Sequence, residues 1–429
     1  MEKKYYPQLK ETVYEATLEC GLKVMLLPRP GFRKKLAYFA TNFGAIDTRF
    51  MLDGQEVRVP EGIAHFLEHK MFDMPDRDIN EEFAALGAFP NAFTSHYMTA
   101  YQFSCTDRFF ECLRLLLELV STPYFTKESV EKEQGIIGQE ISIYRDSPET
   151  RVYENMSRIA YKEHPIREPI LGTVESIARI TPEMLHLCHK AFYHPENMLL
   201  CVIGDVDPDM LCQVTAECLQ PTQRPQAALL RNWQESMEPE QHEVTETMDV
   251  ALPVYQIGFK CEPVGDGFEM LCREIVGDLA LEALIGESSR LYLELYEKGI
   301  INHAFGGGYD TMDGMAQITL GGDGWYAGEI LDAICLRAQE LARDGVPEED
   351  FLRMKRGAMG QRIRGLDRFD GTNFRMCAYY FSNADYFRFP EAYQKVSRED
   401  VQEFLGRVFT KERATLSVIQ PADKEAENV

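Results

Sequence analysis

Strand-like alternation of apolar and polar residues opens the chain. Residues 13–18 and 21–28 each read as a strand, and a Pro/Gly turn separates them from a third over 35–41. Helical spacing takes over near Pro60. A second, short helix is expected over 80–86, stopped by Gly87. Residues 91–105 are rich in Thr, Tyr and Phe and predict strand. Over 107–120, Phe110, Leu113, Leu116, Leu117 and Val120 form an apolar stripe at helical period. Thr126 suits the N-cap of a long helix running from Lys127 to about Tyr144. Thr181-Pro182-Glu183 is a helix start, and the apolar run over 197–204 predicts a buried strand.

Beyond Leu219 the pattern lapses. Residues 221–243 are polar and carry Pro221, Pro225 and Pro239, as a linker would. The second half of the chain then repeats the first. Gly135-Ile136-Ile137-Gly138-Gln139-Glu140 recurs as Gly357-Ala358-Met359-Gly360-Gln361-Arg362. The helix start Ile180-Thr181-Pro182-Glu183 has a counterpart in Val396-Ser397-Arg398-Glu399. Ala191-Phe192-Tyr193, before an apolar strand, matches Val408-Phe409-Thr410 before the run 414–419. Each pair is separated by about half the chain, in the same order, which points to a duplicated domain. The expected organisation is a first domain over 1–220, a linker over 221–243 and a homologous domain over 244–429.

The 429 residues, 45% of them hydrophobic, suffice for two or three domains with a large core. Lys and Arg total 45 against 69 Asp and Glu, a net charge of −24. Such a surface makes nucleic acid and anionic membrane poor partners, whereas a basic peptide is attracted to it. The 11 cysteines are scattered, with no Cys-x-x-Cys pairing, and Cys201 sits in an apolar run, which argues for a reducing compartment. The start, Met1-Glu2-Lys3-Lys4-Tyr5-Tyr6-Pro7, has no apolar signal core, and no stretch approaches membrane-spanning length. A soluble, cytoplasmic protein is expected.

The chemistry concentrates in Gly62-Ile63-Ala64-His65-Phe66-Leu67-Glu68-His69, which contains His-x-x-Glu-His. On a helix, His65 and His69 are one turn apart on one face, a bite for a single metal ion. Glu68 stands beside the second His, within reach of a water at the same metal. This inverts the order of the commoner zinc-protease motif. Two imidazoles suit zinc, and a catalytic site wants a third protein ligand from elsewhere. Glu133 and Glu140 lie two turns apart on one face of the helix that follows Thr126. An oxygen ligand suits zinc, which makes Glu140 a candidate, and a second carboxylate can orient a His ring or the water. The second half lacks these groups: Arg362 stands where Glu140 does, and residues 286–298 contain no His. His186, His189 and His194 also cluster, but no carboxylate pattern accompanies them and they read as structural.

The chain resembles the pitrilysin–insulinase family of zinc peptidases, in the short two-domain form that includes the mitochondrial processing peptidase subunits. The resemblance spans nearly the whole chain. It is carried by Gly62-x-Ala64-His65-Phe66-Leu67-Glu68-His69, by Asn91-Ala92-Phe93-Thr94, by Glu133 with Glu140, and by Pro195-Glu196-Asn197-Met198 followed by Gly204-Asp205-Val206-Asp207. Ser288-Ser289-Arg290-Leu291-Tyr292 and Glu297-Lys298-Gly299 carry it in the second half. It implies an α+β fold of two homologous domains, each a mainly antiparallel sheet packed with helices, closing around a cleft. It implies a metalloendopeptidase acting on peptides or unfolded segments, with Zn2+ held by His65, His69 and Glu140. Glu68 would be the general base and Glu133 a supporting acidic residue. Asn91-Ala92-Phe93-Thr94 would be an edge strand to which a peptide adds by main-chain pairing.

One departure matters. Related enzymes carry an Arg and, one heptad later, a Tyr in the second domain. Here Tyr296 stands at the Arg position and Asn302 or His303 near the Tyr position. The resemblance therefore implies the zinc-bearing subunit of a heterodimer whose homologous partner supplies the Arg/Tyr pair, with a homodimer as the alternative. His303 is either a partial substitute or a structural residue, and His96 either lines the cleft or sits on a surface strand. The rival from another class is a non-catalytic scaffold of the same fold. Such relatives usually lack the full ligand set, and bound stoichiometric zinc separates the two.

Overall fold

The computed structural model describes residues 1–312 and 314–422, so the final residues of the expected second domain lie outside it. The chain forms two compact units, neither continuous in sequence. The first comprises Met1–Ile141, Pro169–Arg231 and Arg364–Phe381. The second comprises Ser142–Glu168, Asn232–Ile363 and the residues from Ser382 onward.

The strands of the first unit are β1 (Glu2–Tyr6), β2 (Glu11–Thr17), β3 (Lys23–Pro28), β4 (Lys35–Thr41), β5 (Arg49–Leu52), β6 (Gln55–Arg58), β7 (Phe89–Thr94), β8 (Thr99–Cys105), β9 (Met198–Gly204) and β10 (Ala227–Leu229). One sheet runs β1-β2-β3-β9-β4-β8-β7 and a small one β10-β5-β6. Within the large sheet only the β3–β9 pair is parallel. Every residue of β9 is buried, because helices cover both faces of the sheet. On one face, the helices Ile63–Lys70, Phe109–Ser121 and Pro182–Phe192 share a core with Ala37, Phe39, Leu200 and Val202. Leu113, Leu116, Leu117 and Val120 of the predicted stripe are all buried there, each contributing about 1.5–3 kcal/mol. On the other face, helix Phe369–Phe381 packs against β4 and β9. Strand alternation sends Tyr38 to that side, where it meets Phe93 of β7, and Phe374 meets Phe93 as well.

One expectation is corrected, and two gain detail. Residues 91–105 are not one strand but a hairpin, with a turn at Ser95–Met98. Ser95 makes that turn with its own side chain, its Oγ accepting from Met98 N–H (3.2 Å), so no Gly or Pro announces it. The His helix, expected near Pro60, begins at Ile63. Gly62 before it sits at φ 85°, and a Cβ there would lie 2.3 Å from the Leu171 carbonyl oxygen, so only glycine fits. Several positions of the stretch 221–243 are docked. Ala227–Leu229 pairs with β5. Trp233 packs on His164 at 4.3 Å, and Glu235 accepts from Lys260 Nζ (3.0 Å) and from the His164 amide. Composition reports polarity, not the buried donors that a polar segment meets.

The second unit holds β11 (Glu243–Met248), β12 (Val254–Cys261), β13 (Gly306–Met312), β14 (Met315–Asp323) and β15 (Ala414–Pro421), in the order β11-β15-β12-β14-β13. The β11–β15 pair is parallel and the others antiparallel. Neighbour for neighbour and sense for sense, this is β3-β9-β4-β8-β7 again, the duplication that the sequence repeats predict. Helix Pro148–Ala160, from the first half, packs on β11, β12 and β15. Helix Phe369–Phe381, from the second half, takes the matching place on β4 and β9. The two halves thus exchange one helix each. Where the first half has His65 and His69, helix Arg290–Glu297 carries Tyr292 and Tyr296, stacked at 6.1 Å.

Candidate metal centre

Helix Ile63–Lys70 is buried along most of its length, His65 and Glu68 included. The rings of His65 and His69 lie 4.5 Å apart. Helix Lys127–Arg145 brings Glu140 to them: its Oε2 lies 3.8 Å from His65 Nε2 and 3.6 Å from His69 Nε2. The three ligand atoms all fall within 4.8 Å of one another, and no other such group occurs among the described residues. Ligands held ~2.0–2.2 Å from a tetrahedral zinc ion stand ~3.3–3.6 Å apart. The observed spacings need only slight closure, so the donor set fits the ion.

The two imidazoles are prepared differently. Burial, reinforced by neighbouring His69, pushes His65 down to about 3, so it is a neutral ligand across the working pH range. His69 is oriented by a hydrogen bond. Its Nδ1–H donates to Glu133 Oε1 at 3.0 Å, the only polarity a carboxylate permits, and this turns Nε2 toward Glu140. Burial opposes protonation of His69, but the Glu133 bond and the charges of Glu68, Glu133 and Glu140 together raise it above its ordinary value.

Glu68 is 8% exposed and faces the same space. Burial pushes its carboxyl above the ordinary range; the Thr94 bond and His69 pull the other way, and Glu140 adds to the rise. Thr94 Oγ–H donates to Glu68 Oε2 at 2.6 Å. Thr94 ends β7, the edge strand of the large sheet, so one residue joins the carboxylate to the strand. Asn91, Ala92 and Phe93 precede it on that edge. Asn91 is exposed, Ala92 packs toward the core, and Phe93 packs on Tyr38 and Phe374.

The structure therefore gathers His65, His69, Glu140, Glu68, Glu133 and Thr94 in one place. His96 lies in the turn after β7. His303, in the second unit, shares a 2.9 Å hydrogen bond with Tyr296, seven residues before it. His189 and His194 have structural partners, the Val120 carbonyl and Thr222. Sequence reasoning missed the Thr94–Glu68 bond, since nothing in a strand's composition says which face meets a helix. It also missed the buried pair Arg231–Asp47, whose members lie far apart in the chain.

Residues 55–174 match the sequence family described as Insulinase (Peptidase family M16), and residues 179–358 match the Peptidase M16 inactive domain. The chain is 37% identical to the uncharacterized zinc protease YmfH of Bacillus subtilis, over 97% of this chain and 98% of YmfH. Among solved structures it resembles an M16-like peptidase from Alicyclobacillus acidocaldarius, at a TM-score of 0.92 and 31% identity over 96% of this chain and 99% of that one. A protease from Helicobacter pylori shares the fold at a TM-score of 0.79 and 19% identity, over 95% of this chain and 99% of that one. With its inverted His-x-x-Glu-His helix, its Glu140 and its two-domain form, the chain belongs to the insulinase family of zinc peptidases, peptidase family M16.

Proposed function

We propose that this chain is a zinc endopeptidase in which Glu68 moves the proton, His65, His69 and Glu140 hold the metal, and β7 takes the substrate as an added strand. The observation that carries the reading is the convergence of the three ligand atoms within 4.8 Å beside a carboxylate bonded to the edge strand. Bound zinc supplies Lewis acidity toward water and the scissile carbonyl. Glu68 accepts a proton from the attacking water and returns it to the leaving amine nitrogen. Its burial supports this role, since burial raises the carboxylate's affinity for the proton it must take up. Thr94 fixes the carboxylate. Glu133 keeps His69 in the tautomer that ligates. Main-chain pairing along Asn91–Thr94 would read an extended backbone more than particular side chains.

The position that related enzymes give to Arg holds Tyr296, and His303 follows it; their mutual hydrogen bond occupies both. This supports a working unit in which a homologous subunit supplies the missing Arg/Tyr pair, this chain being the zinc-bearing member. The eleven cysteines are free thiols, most of them buried, in keeping with a reducing, cytoplasmic setting. No helix among the described residues is long and apolar enough to cross a membrane.

The test is Glu68→Gln. Zinc content is expected to stay stoichiometric while cleavage of a fluorogenic peptide falls by about 10²–10⁴-fold. Cleavage at the wild-type rate would sink the base assignment. A wild-type protein that binds no zinc would return the reading to a scaffold.

A further inference from the structure

Thr94 leads directly into the turn Ser95–Met98, so whatever sets that turn sets the hydroxyl on Glu68. The turn is tied to the loop at residues 43–47. Ala45 N–H donates to the Ser95 carbonyl (3.0 Å), Ile46 N–H to the His96 carbonyl (2.9 Å), and Thr99 Oγ–H to the Phe43 carbonyl (2.9 Å). Thr94 and Thr99 hydroxyls stand 3.4 Å apart. The fit is close: a Cβ on Gly44 would lie 2.5 Å from Tyr97 N and 2.6 Å from the His96 carbonyl carbon.

One side chain clamps both sides of this contact. Arg231 forks onto Asp47, Nε to Oδ1 at 2.9 Å and Nη2 to Oδ2 at 2.7 Å. The same Nη2 donates to the Tyr97 carbonyl in the turn (3.1 Å). Asp47 in turn accepts from Gly44 N–H at 2.8 Å. Both side chains are buried, 9% and 1% exposed. Burying such a pair contributes little net stability compared with an apolar pair of the same volume, because desolvation offsets the attraction. What a guanidinium adds is direction, since its planar fork fixes two acceptors at once. Here the acceptors are the loop and the turn.

We propose that Arg231 is a positioning residue: forked on Asp47 and the Tyr97 carbonyl, it holds the turn from which Thr94 reaches Glu68. This rests on the reading of Glu68 as the proton carrier. Arg231 is the last residue of the first unit's central segment, within the stretch that composition marks as linker. The sequence motif therefore depends on a residue that no motif contains.

The experiment is a double-mutant cycle on the full chain in its active form, with its partner subunit where activity requires one. It compares wild type, Arg231→Gln, Thr94→Val and the double variant, with Glu68→Gln as control. Arg231→Gln is expected to keep stoichiometric zinc. It is expected to lower kcat by about 10–100-fold with little change in KM, the cost of misplacing a reacting group. Amide hydrogen exchange at the Ser95–Met98 turn speeds up in it ahead of the rest of the first unit. The double variant falls no further than the worse single variant, because both act through one hydroxyl. Arg231→Lys, which keeps the charge and loses the fork, behaves as Arg231→Gln does. Multiplicative losses in the double variant, or unchanged exchange at the turn, overturn the proposal. If Arg231→Gln does not fold, Arg231→Lys carries the cycle, and wild-type kinetics in that variant overturn it. If Glu68→Gln still cleaves, the base assignment has failed instead, and exchange at the turn still reports on Arg231.

Discussion

Glu133 and Glu140 share a residue type, a helix and a face, yet Glu140 joins the cluster that could hold a metal and Glu133 stands outside it. The difference is what each meets. Glu140 lies between the two Nε2 atoms, whereas Glu133 meets only the far nitrogen of one ring. Glu133→Gln keeps an acceptor and loses the charge that holds His69 Nδ1–H. Zinc affinity is expected to weaken by about 10–100-fold, read by competition with a chromophoric chelator. An unchanged affinity would show that the ring is oriented by packing alone. Among the described residues His65 has no such carboxylate at its other nitrogen; burial in the helix face holds it neutral.

At the level of elements, helix Pro182–Phe192 shows how a histidine cluster can be structural. His189 donates Nε2–H to the Val120 carbonyl and stacks on Tyr193. Burial, with some help from His186 and against that hydrogen bond, brings it from an ordinary 6.5 to about 4. The unfolded chain then binds a proton that the folded chain refuses between those values. Its contribution to stability is whole above about 6.5 and is lost as pH falls toward about 4. In chelator, so that metal release does not enter, urea midpoints of the wild type should drop across that interval. Those of His189→Gln should drop less; parallel curves would mean that His189 titrates normally in the fold. The edge strand β7 is an element of the opposite kind. Its inner face is fixed by Ala92 and Thr94 and its outer face by Phe93, while among the described residues its other edge pairs with no strand.

For the whole molecule, the exchange of helices has a mechanical consequence. Pro148–Ala160 belongs to the first half of the sequence and packs in the second unit; Phe369–Phe381 does the reverse. Residues 221–224 are exposed. A protease site placed there should cut the chain without parting it, because each fragment keeps a helix inside the other's core. The nicked protein is expected to elute at the intact size in size-exclusion chromatography and to separate only in denaturant. Separation under native conditions would contradict the exchange.

Read alone, the sequence determined the chemistry and the class of fold. The reason is that both are local: a metal helix needs two histidines one turn apart, a strand needs its alternation, and a duplicated domain repeats its own grammar. Those signals pointed to His65, Glu68, His69, Glu133 and Glu140 and to a duplicated domain, and the family resemblance added its sheet. Tertiary structure alone decided what depends on distant residues meeting. It turned residues 91–105 into a hairpin, docked the polar stretch 221–243, traded one helix between the halves, and set Thr94 on Glu68 with Arg231 behind the turn. Hydrogen bonds and ion pairs of that kind join positions whose separation along the chain carries no pattern, so only the folded chain reveals them.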